Sequence, residues 1–288
     1  MRIAQLRDEW WDDVDDPEEM VNALRRCCPV PDLFTFWQRL PDITPKYSYY
    51  YELQALSALP LTDFDHWWHR QINSDMRKKA KRSERRGLEI KVVELDDSFV
   101  RGVMDVFNET PIRRGKPFWH YGKSFETLKD ELSRELSTSK FIGAYDRGRL
   151  AGFVKLNFAE GRFVNPGLIL SKLEYRKRYI NNALMAKSVE LACATGVPYL
   201  TYTVWRRGTQ AEYLKRNGFK KISVPRYWVP LTSKGTLSLN IGVHRNVRSY
   251  IPDWLYVRLL EARAKLYERW YTSDNREDDE TEVRGAAR

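Results

Sequence analysis

Fifteen residues in the middle of the chain, Glu109–Lys123, carry an unusual mixture of reactive types. They hold a carboxylate at Glu109, an imidazole at His120, cations at Arg113, Arg114 and Lys123, and flat aromatic rings at Trp119 and Tyr121. A carboxylate or imidazole can take a proton from a nucleophile, directly or through a water. Glu109 and His120 are therefore candidate bases, Trp119 and Tyr121 candidate pocket walls, and Arg113, Arg114 and Lys123 candidate substrate contacts. A well-packed aromatic loop with surface charge would have the same composition. Sites nevertheless concentrate on loops of this kind.

A second feature is electrostatic. The net charge is +10, yet the first twenty residues hold eight acids against two Arg, and Asp274–Glu282 is acidic again. The positive excess thus lies in the middle of the chain, which favours an anion-binding region there. Arg77–Arg86 contains seven Lys/Arg and one Glu. Spread round a helix, these charges suit a solvated surface, contact with tRNA or another polyanion, or membrane headgroups, since phosphate contacts give affinity without sequence choice. His66 and His69 share a helix face but have no evident carboxylate or Cys partner, so no metal site is expected. The sequence lacks the GxSxG, P-loop, HExxH and CxxC signatures. Cys27, Cys28 and Cys193 form no even framework and are expected to be reduced thiols. No apolar run reaches 18 residues, and the acidic start lacks the basic-then-apolar pattern of a signal peptide. These features lead to an expected cytoplasmic location without a membrane span.

The elements that must position these groups follow from periodicity. A helix is expected over Asp16–Arg26 and a strand over Tyr47–Leu59. A long helix should start near Thr62 as N-cap and end at Gly87, with Phe64, Trp68, Ile72, Met76 and Ala80 along one stripe. Leu88–Leu95 should be a half-buried strand. Helices should follow Ser98 and Ser124. Three strands come next, Lys140–Tyr145, Leu150–Phe158 and Arg162–Leu170, joined by turns at Asp146-Arg147-Gly148 and Glu160-Gly161. Asn165-Pro166-Gly167 predicts a bulge inside the third. A helix over Asn181–Thr195, a strand over Tyr199–Trp205, a short helix over Gly208–Asn217, strands over Phe219–Val224 and Tyr227–Leu231, and a helix over Ile251–Tyr271 complete the order. The expected organisation is an N-terminal extension (1–60), a main domain (61–235), a C-terminal strand and helix (236–272) and a disordered acidic tail (273–288).

This order resembles the GNAT superfamily of N-acetyltransferases. Gly148-Arg149-Leu150-Ala151-Gly152-Phe153-Val154 is similar to its hairpin strand, and Tyr213-Leu214-Lys215-Arg216-Asn217-Gly218-Phe219 to its closing helix and "GF". Met76–Leu88 resembles a basic helix of the FemAB-like branch, which includes peptidyltransferases that use aminoacyl-tRNA. Residues 108–123, 182–190 and 225–232 look like segments of bacterial GNAT-like proteins. The resemblance covers about 60–235. It implies an α/β (α+β) GNAT fold, in which a mixed central sheet with splayed parallel strands is flanked by helices, here with N- and C-terminal helical extensions. It further implies an acyltransferase moving an acyl group, acetyl first, from acyl-CoA to a small-molecule or peptide amine, with aminoacyl-tRNA as alternative donor and a non-catalytic binding scaffold as the third reading.

Residue by residue, the resemblance puts the donor between Arg162–Leu170 and Tyr199–Trp205, with the backbone of Leu168, Ile169 and Leu170 along the pantetheine arm. One departure stands out. The family's Gly-rich pyrophosphate loop corresponds to Tyr175–Ala183, which has no Gly. Phosphate would have to rest on Arg176, Lys177 and Arg178, with Asn181 and Asn182 at a helix start. Tyr213 is the candidate general acid, although the family's Tyr aligns with Leu214. One residue is about 100° on a helix. Tyr202, on the splayed strand, is its rival and a candidate substrate contact.

Overall fold

The structure, a computed structural model, describes residues 1–7, 14–113, 115–159, 161–205, 208–245, 255 and 258–267. The chain runs through β1 (Ile3–Gln5), α1 (Pro17–Arg25), β2 (Leu33–Trp37), β3 (Tyr50–Pro60), α2 (Phe64–His66), α3 (Ser74–Arg85), β4 (Leu88–Val93) and α4 (Asp97–Phe107). Next come β5 (Ile112–Arg113), β6 (Lys116–Pro117), α5 (Phe125–Ser133), β7 (Ser139–Asp146), β8 (Arg149–Ala159), β9 (Phe163–Ser171) and α6 (Ile180–Ala194). The series ends with β10 (Tyr199–Val204), α7 (Thr209–Arg216), β11 (Lys220–Pro230) and α8 (Ser233–Asn240), followed by helical residues at 258–267. Two compact units result: Met1–Val106 with Phe125–Ile241, and Phe107–Ser124 with the described part of Gly242–Arg288.

The first unit is organised by one mixed sheet in the order β1-β2-β11-β3-β10-β9-β8-β7-β4. β8 is buried along nearly its whole length, so both of its faces must be covered. Successive side chains point to opposite faces. Val154 and Ile142 join the cluster around Ile180, Leu184 and Val189 of α6. Their neighbours Phe153 and Phe141 instead meet Phe99 of α4 edge-on. The sheet is therefore sandwiched between α6 and α4. α6 is apolar almost all round, as a helix covered on several sides must be. Met76 and Ala80 of α3 belong to the same cluster.

The expected elements in the middle of the chain are present within a few residues of their predicted ends, and four expectations are corrected. First, the helix expected from Thr62 to Gly87 is broken. Asp63, not Thr62, caps α2 by accepting from His66 N. The chain then widens into a π-helical turn over Trp67–Gln71, and Ile72 and Asn73 are extended before Asn73 caps α3. Trp67 drives the break, being fully buried with its Nε1 donating to Asn217 O at 2.9 Å. Second, Asp96 rather than Ser98 caps the start of α4, accepting from Phe99 N at 2.7 Å.

Third, the last two strands are one, because β11 runs through Pro225. The Pro225 carbonyl accepts from Gln38 N, so its ring nitrogen also faces the β2 side, one residue before the registered β2 pairing begins at Arg226. Fourth, residues 233–240 are helical, with Thr232 capping α8, where a strand was expected to lie after 235. Segment 1–60, expected as an extension, supplies β1, β2 and β3, and β3 lies between β11 and β10 within the sheet. The helix expected over Ile251–Tyr271 is seen at 255 and 258–267. The rest of it and the tail 273–288 lie outside the described residues.

Gly152 shows how tightly α6 sits. A Cβ there would lie 2.8 Å from Ser171 Cβ, 2.9 Å from the Leu170 carbonyl and 3.0 Å from Ile180 Cδ1. One of these is backbone in the ladder and cannot swing away. Gly152→Ala is expected to cost about 1–3 kcal/mol, the usual range for overpacking a tight core. The shift of the urea midpoint at constant slope measures it.

The second unit contains the β5–β6 hairpin, pairing Ile112 with Pro117 and Arg113 with Lys116. Gly115, at φ +65°, lies against the 258–267 helix, where an added Cβ would come within 2.5 Å of Ala264 Cβ.

Candidate functional site

The expected parting of two parallel strands is present. β9 and β10 run parallel and share a single registered pair, Val164 with Leu200. Beyond it, Leu168, Ile169 and Leu170 pair with Lys155, Val154 and Phe153 of β8 on one side. Among the described residues they have no strand on the other. The predicted bulge explains the parting. Pro166 pairs with Leu156 and Leu168 with Lys155, which leaves Gly167 as the extra residue.

At the crotch of the two strands the side chain of Asn165 replaces the ladder. Its Nδ2 donates to Tyr202 O at 2.9 Å and to Thr201 Oγ1 at 3.0 Å. Thr201 Oγ1 in turn donates to Val164 O at 3.4 Å. Asn165 is buried. Sequence reasoning valued it only as part of a bulge. The signal that would have found it is a side-chain amide just before a Pro-Gly in a buried strand.

The free edge of β9 leads to the start of α6. A 3₁₀ turn over Leu173–Arg178 ends in Tyr179, whose φ of +62° puts it in the left-handed region. Among the described residues no side chain caps α6. Of the five residues assigned to phosphate, Arg176 and Lys177 are exposed. Arg178 is engaged with Asp146, at 2.6 Å to Oδ2 and 3.2 Å to Oδ1, and also donates to Arg86 O. Tyr175 donates to the same carboxylate at 3.0 Å. The Arg178 guanidinium is the main reason the Asp146 carboxyl titrates below its usual range. Arg178 thus ties the turn to the β7 end. Asn182 is buried and its Nδ2 meets Met76 Sδ at 3.0 Å, so it faces α3. Asn181 stays at the helix start, with its Oδ1 buried and without a hydrogen-bond partner among the described residues.

Tyr213 reaches this helix start in spite of its offset from the family position. Its hydroxyl donates to Asn181 O at 2.9 Å. Burial, with Tyr202 nearby, pushes its phenol above the ordinary range, so it keeps its proton throughout the neutral range. Tyr202 packs against the same core cluster and meets Phe219 edge-on at 6.4 Å.

Sequence reasoning also missed how α3 is aimed. Lys79 Nζ, Arg82 Cζ and Arg86 Cζ lie 5.7, 5.9 and 5.4 Å from the centre of the Tyr179 ring. Their spacing of three and four residues puts them on one face. The remainder of the run is used differently: Arg77 donates to Trp68 O at 2.8 Å, and Lys81 lies over the Trp68 ring.

The second unit gathers most of the groups expected of the loop. Glu109 and Arg113 form an ion pair at 3.0 Å in which Arg113 is nearly buried. The Arg113 guanidinium also lies 5.0 Å from the Phe118 ring. His120 is buried among Phe107, Phe118 and Trp119, with centroids at 4.2, 5.3 and 3.6 Å. Desolvation, with a smaller contribution from Lys123, pushes its imidazole down to about 3. It is therefore neutral and a weak base. Lys123 Nζ sits 3.8 Å from the Trp119 ring centre, and Trp119 and Tyr121 are exposed. Arg114 lies outside the described residues.

No protein-family model and no curated protein sequence matches this chain. Solved structures do resemble it. FemX is 10% identical, with a TM-score of 0.56 over 82% of each chain. The C-terminal domain of a protein described as a lysylphosphatidylglycerol synthetase from Agrobacterium fabrum is 18% identical. Its TM-score is 0.53, over 82% of this chain and 80% of that one. L-PGS from Bacillus licheniformis is 13% identical, with a TM-score of 0.50 over 73% and 71%. The fold is GNAT-like and FemAB-like. Among the described residues no helix is long and apolar enough to cross a membrane.

Proposed function

We propose that this chain is an N-acyltransferase that takes an acyl group, acetyl first, from acyl-CoA and passes it to an amine. The observation that carries the reading is the parted pair β9 and β10, whose free edge at Leu168–Leu170 leads to the uncapped start of α6. An extended ligand pairs with such an edge through its amides, and the helix start with its surrounding cations suits phosphate. Both features fit a CoA thioester, which when bound supplies the acyl group. The remaining steps fall to the chain. Tyr213, whose hydroxyl reaches the start of α6, is the proposed proton donor to the departing thiolate. Of the second unit's two candidate bases, Glu109, held by Arg113, is proposed in preference to the weakly basic His120.

Calorimetry and thermal unfolding with acetyl-CoA test the donor. At about 100 times its Kd a ligand adds roughly 2.7 kcal/mol. An amine screen follows, in which Tyr213→Phe should lower kcat roughly 10²-fold with little change in donor KM. Silence from both acetyl-CoA and CoA would reject acyl-CoA as the donor.

A second reading, transfer from aminoacyl-tRNA, is favoured by one observation. Arg82, Arg86, Arg176 and Lys177 have no acidic partner among the described residues. That reading requires tRNA binding that weakens steeply with salt.

A further inference from the structure

Tyr179 is an odd residue for its position. A non-glycine residue in the left-handed region is strained, and φ there is +62°. Its ring nonetheless draws three cations from a different helix and its C-cap, Lys79, Arg82 and Arg86, all within 6 Å of its centre. A ring face attracts each cation through its quadrupole. A neutral ring does not cancel the repulsion among the cations. Lys79 is balanced by Asp75 at 2.9 Å, and Arg216 shares that carboxylate. Among the described residues the Arg86 guanidinium donates to the Lys177 carbonyl, at 2.7 Å, and has no acidic partner. Arg82 and Arg86 thus bring uncompensated charge to the turn that already exposes Arg176 and Lys177. The unmet charge calls for an anion with several oxygens, and guanidinium groups match phosphate geometry.

We propose that Tyr179 is a positioning residue. Its ring gathers Lys79 and Arg82 of α3 and Arg86 just after it into a cradle for the phosphates of the acyl donor, doing with side chains what the sequence does not provide with a glycine-rich turn. The inference rests on the donor being phosphate-bearing, as proposed above. The shared chemistry is the phosphate group, whether from a CoA pyrophosphate or from a tRNA backbone.

The test uses the full chain with Tyr179→Phe, Tyr179→Leu and Tyr179→Gly, probed with inorganic pyrophosphate, acetyl-CoA and uncharged tRNA, each with a melting curve. Phe keeps the ring and should bind within about twofold of the parent. Leu and Gly should each lose roughly tenfold in affinity for whichever probe binds, seen in turnover as a raised donor KM at unchanged kcat. Gly also relieves the backbone, so it should melt at or above the parent temperature while binding worse. A residue with only a structural role would move stability and affinity together. Parent-like binding by Leu overturns the cradle, even if acetyl-CoA binding by the parent upholds the donor reading. Pyrophosphate binding that is lost in Leu, with acetyl-CoA and tRNA both silent, upholds the cradle and rejects both donors. A parent that binds none of the three overturns both.

Discussion

Lowering the pH from about 7 to about 4 should cost this protein about 3 kcal/mol of stability through His120 alone. The sign follows from its surroundings. Packed among Phe107, Phe118 and Trp119, the imidazole titrates near 3 when folded, against an ordinary value of 6.5. Between those values the unfolded chain binds a proton that the folded chain refuses. Stability is therefore full above the ordinary value and drains away as the pH falls toward the folded one. The depressed carboxylates behave differently. Asp146, Asp75 and Asp97 lose their contribution only below the usual carboxylate value, as pH falls through their lowered ones. The interval from about 6.5 to about 4 thus isolates the histidine. Urea unfolding across that interval, on the parent and on His120→Phe, makes the comparison. The substitution shifts the whole curve by an offset, but its pH slope should flatten by up to about 1.4 kcal/mol per unit. An equal slope in both proteins would mean that water reaches the imidazole. His120 would then be available again as a base at neutral pH.

This histidine also marks where sequence reasoning stops. Its place in a loop of mixed groups was legible, but its burial was not, because three rings close over it only when the loop folds back. Local patterns did better. The apolar-charged alternation along β4, the Asn-Pro-Gly bulge of β9 and the glycine stops after α6 and α7 are encoded within a few residues, and the order of the middle elements followed from them. What failed depended on distant partners. The apolar stripe from Phe64 to Ala80 kept helical spacing across a break that the burial of Trp67 under Asn217 imposes. β2 lay hidden among prolines because Leu33–Trp37 is buried throughout and so shows no alternation. The cations of α3 looked dispersed until Tyr179, about a hundred residues later, gave three of them one ring to face. Arg178, grouped by sequence with Arg176 and Lys177, belongs with Asp146 instead.

The parting of β9 and β10 should depend on Asn165 to a degree that a single substitution reveals. Where two strands separate, the carbonyls of the inner edges lose their ladder partners, and a buried carbonyl without a donor costs about 1–3 kcal/mol. Asn165 meets that cost with one amide, donating to Tyr202 O and to Thr201 Oγ1. Asn165→Ala removes both bonds and leaves a small void, for an expected loss of about 2–3 kcal/mol in urea unfolding. Thr201 Oγ1 still reaches Val164 O, so the damage falls mainly on Tyr202. Asn165→Asp is nearly isosteric and should be worse at neutral pH, since a carboxylate only accepts and would face the Tyr202 carbonyl in a buried site. Burial would raise the folded value of that new carboxyl. Its penalty should therefore shrink as the pH falls below the folded value and the group regains a proton to donate. Below pH 6.5 the trend of Asn165→Asp relative to the parent thus runs opposite to the loss expected from His120. If Asn165→Ala stays within about 0.5 kcal/mol of the parent, water or the bulge at Gly167 already satisfies the crotch. If the loss appears and donor binding falls with it, the separation of the strands and the seat of the donor are one feature held by one amide.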